Sequence, residues 1–303
     1  MGLLIITKLA TTPKKARGYR NLSRIRHLRL VVCLVALSVF ALLILDFVPG
    51  GNLNDAKYLN ATISYLVLGV VFYLANYLIG SQSLEYFRLP RVHVRTVLAL
   101  VVASPFMIQA IKFSDNVYST PEIVIRGVIF LLAIGFGEEM VCRGLFFGVI
   151  RKFGQKKAIF VSSLLFGLMH LNHFVASDWD SWLAYWRVVE TFSFGLLACA
   201  LMIATRSIWV VVIFHAICDW RVVFDKPSPT TDVGAIWNPS LWEGITSPLF
   251  ALFLQGGYAL LILWVNRASL PNWFYRLAIK WKLVEPMMHS FASSVTSTKP
   301  NFL

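Results

Sequence analysis

The stretch Gly137-Glu138-Glu139-Met140-Val141-Cys142-Arg143-Gly144 decides how this chain is read. Two adjacent carboxylates and a guanidinium lie inside a run, from about Ile123 to Ile150, that is otherwise almost wholly apolar. Charge in the middle of a membrane-length segment is costly and is retained where something uses it. The question put to the rest of the sequence is therefore what surrounds those glutamates.

The surroundings are those of a membrane protein. The chain has 303 residues, of which 57% are hydrophobic and only 14% charged, whereas soluble domains carry about 25% charged residues. A membrane-crossing helix needs roughly 17–25 largely apolar residues. Runs of this kind are read near 30–48, 60–80, 96–112, 121–150, 158–173, 187–204, 207–223 and 248–266. The expected fold is all-α, a polytopic membrane helix bundle of about eight transmembrane helices. No internal repeat, low-complexity tract or linker-like block divides it. The expected organisation is a basic N-terminal segment over 1–29, one membrane domain over 30–270 with its motifs in 120–225, and a basic tail over 271–303.

Charge placement sets the orientation. Lys and Arg gather in residues 1–29, in the 81–95 loop (Arg88, Arg91, Arg95), in the 151–157 loop (Arg151, Lys152, Lys156, Lys157), at Arg206 and after Val265. The alternate loops carry Asp46, Asp55, Asp115, Asp178, Asp180, Asp225, Asp232 and Glu243. Cations are retained on the cytoplasmic side, so both termini are expected there. The net charge of +13 is then explained by topology and by contact of the basic segments with anionic membrane lipids. No nucleic-acid module accompanies it, and no nucleic-acid partner is expected. The expected location is a bacterial inner membrane, or the endoplasmic reticulum in a eukaryote. A cleaved leader is not expected, because the first apolar run follows a long basic stretch and ends at Phe47-Val48-Pro49-Gly50-Gly51. Cys33, Cys142, Cys199 and Cys218 all fall in expected spans, at spacings that fit neither a disulfide framework nor a zinc knuckle.

Three of the spans carry polar residues with a pattern. Glu139 and Arg143 stand four apart and share a helix face, with Glu138 close to the same side. One arginine cannot neutralise both carboxylates, so one glutamate is left for acid–base work. His170 follows Phe166 by one turn in the 158–173 run, and His215 and Asp219 stand four apart in the 207–223 run. At 1.5 Å per residue, Glu138, His170 and Asp219 all fall about 18 Å from the cytoplasmic helix ends, with His215 at about 12 Å. Alone, His170 reads as a packing residue and the Glu139–Arg143 and His215–Asp219 pairs are as readily structural as functional; one shared depth reads as a site. A carboxylate beside an imidazole can hold and deprotonate a water that attacks a carbonyl, and a second imidazole can stabilise the oxyanion. Alternatively Glu138, His170 and His215 could ligate zinc and activate its water. An ion-coupled transporter using the buried charges as a relay, or a catalytically idle scaffold or immunity protein, are the competing classes.

In these residues the sequence resembles the CPBP family of CAAX proteases and bacteriocin-processing enzymes. The resemblance rests on Glu138-Glu139-Met140-Val141-Cys142-Arg143, Phe166-Gly167-Leu168-Met169-His170 and His215-Ala216-Ile217-Cys218-Asp219 in order, with Arg143-Gly144-Leu145-Phe146-Phe147-Gly148, Phe194-Gly195-Leu196-Leu197 and Ser207-Ile208-Trp209 as flanks. It implies an intramembrane endopeptidase with a cavity open to the cytoplasm, whose peptide or protein substrate enters from the membrane or the cytoplasmic side. It further implies Glu138 as general base with His170 its partner, and His215 and Asp219 as oxyanion or orienting groups. Glu139, Arg143 and Phe166 would support them. The family is often labelled a metalloprotease; the metal-free glutamate mechanism, with no cofactor, is favoured, with zinc as the alternative. Prenyl proteases of the family typically carry Asn where this chain has Asp219, and an ionised Asp cannot donate to an oxyanion.

Overall fold

The computed structural model describes residues 56–90, 93–112, 120–171, 181–224, 240–267, 276 and 280. The expected span at 30–48, the basic segment 1–29 and all of the C-terminal tail except Arg276 and Lys280 lie outside them. All regular structure among the described residues is helical: α1 (Ala56–Leu78), α2 (Val94–Lys112), α3 (Pro121–Glu139), a π-helical stretch (Met140–Phe146), α4 (Phe147–Ile150), α5 (Gln155–Met169), α6 (Ser181–Thr205), α7 (Ile208–Cys218), α8 (Trp220–Phe224) and α9 (Leu241–Arg267), with 3-10 turns at Leu84–Tyr86 and Arg151–Phe153.

Four of these helices are long and apolar enough to cross a membrane: α1, α2, α6 and α9, over Tyr58–Leu78, Val94–Lys112, Ala184–Thr205 and Leu241–Asn266. Their outer faces show why. Leu59, Ile63, Val67 and Leu78 on α1, and Phe253, Leu260 and Trp264 on α9, are exposed. A water-soluble protein rarely leaves apolar patches of that extent uncovered. Lipid is the solvent that suits them.

The motif-bearing elements differ from the uniform spans expected at 121–150, 158–173 and 207–223. α5 has 15 residues and α7 has 11, so at 1.5 Å per residue they reach only about 22 and 16 Å. Both stop at the polar residues themselves, α5 before His170 and α7 before Asp219. α3 starts with Thr120 capping the Ile123 amide, Pro121 in the first turn and Glu122 near the positive helix end. It packs against α1 and α7, while α6 packs against α5 and α9. The motif helices thus pack against longer lipid-facing ones.

The α6–α7 connection is only Arg206 and Ser207, and Arg206 takes φ +54°. An L-residue there costs about 1–2 kcal/mol that glycine would avoid. At the head of α7, Trp209 donates its indole N–H to the Phe87 carbonyl at 3.2 Å and stacks on Phe136. This contact fixes α7 against the 81–90 turn and against α3.

Candidate active site

The two glutamates close α3, and the helix then widens into the π-helical stretch Met140–Phe146. Such widening occurs mainly as local bulges, often at functional sites, and leaves carbonyls that need partners. Here the Gly144 carbonyl accepts hydrogen bonds from Ser83 Oγ at 2.6 Å and Ser81 Oγ at 3.3 Å. Gly144 has no room for a side chain, since a Cβ would come within 2.8 Å of the Asn76 amide nitrogen. The loop before α2 therefore braces the π-helical stretch that carries Arg143.

Arg143 is fully buried. Its Nε lies 3.1 Å from Glu139 Oε2, a charge contact whose direction is not that of a hydrogen bond. Its guanidinium carbon sits 4.5 Å from the centroid of the Phe166 ring, a cation–π arrangement worth most where water is excluded. Phe166 is also edge-on to His170 at 4.9 Å and to His215 at 5.9 Å. This one ring touches the charged or imidazole member of all three motifs.

His215 reaches the glutamates because α7 approaches α3 closely. A Cβ at Gly135 would meet the Val212 carbonyl oxygen at 2.7 Å, so only glycine allows the approach. His215 Nδ1 donates to Glu139 Oε1 at 2.7 Å. Its Nε2 is 3.2 Å from Asp219 Oδ2 and 3.7 Å from Glu138 Oε2. His170 donates from Nδ1 to the Phe166 carbonyl at 2.9 Å. His170 is half-buried and within electrostatic reach of Asp219.

The adjacent carboxylates consequently have different surroundings. Glu139 is wholly buried between Arg143 and His215, whereas Glu138 keeps a 5% exposure and its ion pair is the longer one to His215. The sequence-predicted residues Glu138, Glu139, Arg143, Phe166, His170, His215 and Asp219 all lie in one cluster.

Sequence reading missed several neighbours. Tyr65 of α1, buried, is within electrostatic reach of Glu138 and Asp219. Arg187 and Glu190 of α6 pair at 3.3 Å, and both lie within electrostatic reach of Asp219. The signal was available: two opposite charges three apart near the start of an apolar run. Among the described residues, no group of three His, Cys, Asp or Glu side chains is arranged to hold a metal ion. Cys142, Cys199 and Cys218 are free thiols; Cys33 lies outside the described residues.

A comparison with family models finds the same relationship as the three motifs. Residues 120–221 match the model described as Rce1-like, type II CAAX prenyl endopeptidase. The matched segment runs from the cap of α3 into the first turn of α8 and contains every motif residue. No curated protein matches the chain. The apolar spans make this an integral membrane protein, and its 120–221 segment is similar to the Rce1-like family.

Proposed function

We propose that the chain is an intramembrane endopeptidase of the CAAX type, working by a glutamate-activated water. The observation that carries this reading is the division between the two adjacent carboxylates: Glu139 is engaged by Arg143 and His215, and Glu138 beside it is slightly accessible. Glu138 takes a proton from water as the water oxygen attacks the scissile carbonyl carbon. His170 helps hold that water. As the tetrahedral intermediate collapses and the C–N bond breaks, the protonated Glu138 gives the proton to the leaving amine. With both ring N–H groups engaged, Nδ1 by Glu139 and Nε2 by Asp219, His215 stabilises the developing oxyanion through its positive charge, and Asp219 orients the ring by accepting from Nε2. An ionised Asp219 acts as an acceptor only, so its part is orientation. Arg143, stacked on Phe166, holds Glu139 and through it the orientation of the His215 ring.

The substrate we infer is a peptide or protein with a CAAX-like end, in keeping with the CAAX prenyl endopeptidases that residues 120–221 resemble. The bundle of about eight spans with both termini cytoplasmic, in a bacterial inner membrane or the endoplasmic reticulum, is part of the same proposal. It rests on the alternation of basic and acidic loops, and reporter fusions at residues 1, 85, 155 and 303 would check it. The activity is tested with a farnesylated CAAX peptide and its unprenylated counterpart, in detergent, with and without chelator. Cleavage that persists under chelator supports the metal-free reading. Loss under chelator with recovery on zinc overturns it, and no cleavage of either peptide removes the CAAX assignment.

A further inference from the structure

Apart from the glutamate cluster, the fold holds a cavity of about 530 Å³ at one end of the bundle. Its wall includes Arg88, Arg151, Arg206, Glu85, Tyr86 and His93. Three guanidiniums face one carboxylate, and that carboxylate is already occupied: Glu85 pairs with Arg151. Arg151 also donates to the Gln82 carbonyl at 3.0 Å and lies over the Tyr86 ring. Among the described residues no carboxylate pairs with Arg88 or Arg206. Burial pushes the Tyr86 hydroxyl up to about 12, so it keeps its proton at neutral pH, and burial lowers the His93 imidazole. The positive charge of the cavity is therefore guanidinium charge.

Depth identifies the anion. Three of the four membrane-length helices end at this cavity: α2 begins one residue after His93, α6 ends at Thr205, and α9 ends one residue after Asn266. Trp264, within a turn of that end of α9, is exposed, as belt tryptophans are at the membrane–water boundary. Leu89, in the cavity wall, is also exposed. A cavity walled by guanidiniums, with exposed Leu89 beside them and lipid-facing helices leading to it, fits an acidic headgroup whose acyl chains run along α2 and α9. The left-handed Arg206 belongs here too. Strained non-glycine backbone persists where the surroundings over-determine it, and such residues cluster at ligand clamps.

We propose that this cavity binds the phosphate of an anionic phospholipid headgroup, at a site separate from the glutamate cluster. The proposal does not depend on the peptidase reading. It is tested on the full-length chain, delipidated in detergent, by native mass spectrometry titration with phosphatidylglycerol and phosphatidylcholine. A parallel arm adds inorganic phosphate. Phosphatidylglycerol is expected to bind the wild type more tightly than phosphatidylcholine. A basic side chain near an anionic membrane surface contributes about fivefold, so Arg88→Gln with Arg206→Gln should lower phosphatidylglycerol affinity by about 25-fold. Lys156→Gln with Lys157→Gln, at the same end but outside the cavity, should leave it nearly unchanged. Arg88→Gln alone, in an exposed turn, should still show about a fivefold loss if the double variant fails to fold. Equal binding of the two lipids, or an equal loss in the lysine variant, would overturn the proposal. Displacement of phosphatidylglycerol by millimolar inorganic phosphate would reassign the cavity to a free anion and overturn the lipid source.

Discussion

One helical run carries the same pair of residues twice. Glu122 and Arg126 stand four apart at the start of α3, and Glu139 and Arg143 stand four apart where it passes into the π-helical stretch. The spacing is identical, and in both cases the charges meet, at 2.5 and 3.1 Å. The first pair is 69% and 49% exposed for Glu122 and Arg126; the second is wholly buried. An exposed pair gains little, because solvent screens it and ordering two long side chains opposes it. A buried pair is different: breaking it strands an uncompensated charge. Sequence spacing thus brings charges together, and burial decides how much depends on them.

The widest contrast between the two ends of the run is expected in chemistry. His215→Ala removes the imidazole that joins Glu139, Asp219 and Glu138, and peptide cleavage should fall about 10²–10⁴-fold, the usual share of an acid–base group. Initial rates on a farnesylated peptide give the number, and a loss under about tenfold would place His215 outside the reaction. Next in size is the buried pair itself. Arg143→Leu leaves Glu139 buried beside His215 with its cationic partner gone, and unfolding free energy in detergent should drop by about 3–5 kcal/mol. A near-neutral result would mean that water reaches Glu139.

Gly135→Leu tests the approach that brings α7 to α3. Overpacking at such a contact costs about 1–3 kcal/mol, and the side chain would also push His215 from Glu139. Activity should therefore fall more than stability does, read by comparing cleavage rate with thermal midpoint. The smallest effect is expected at the exposed pair. Arg126→Ala should change stability by at most about 0.5 kcal/mol and leave cleavage unaltered. A larger loss would show that the start of α3 carries more of the fold than its exposure indicates.

The same division separates what sequence makes legible from what it hides. Glu138, Glu139, Arg143, Phe166, His170, His215 and Asp219 were legible because unlike residues in apolar runs stand out, and because three such runs placed them at a similar depth. The helical character was legible from the runs themselves. The short lengths of α5 and α7 were not, since hydropathy continues past the point where His170 and Asp219 end the helices. The π-helical widening at Met140–Phe146 was also hidden. It depends on Ser81 and Ser83 reaching the Gly144 carbonyl from a distant part of the chain, and no local pattern encodes that. Arg187 and Glu190 were overlooked because charges near a span's end read as its boundary. The count of eight spans includes the 30–48 run, which lies outside the described residues.

The central claim is that two neighbouring glutamates do different work, Glu138 on the water and Glu139 on the framework. It is tested most directly by measuring cleavage of a farnesylated CAAX peptide and thermal stability for Glu138→Gln and Glu139→Gln side by side. Glu138→Gln is expected to fold like the wild type and to cleave at least about 100-fold more slowly. Glu139→Gln is expected to lose stability, because Arg143 is left without its counter-charge. Cleavage at the wild-type rate by folded Glu138→Gln would contradict the claim.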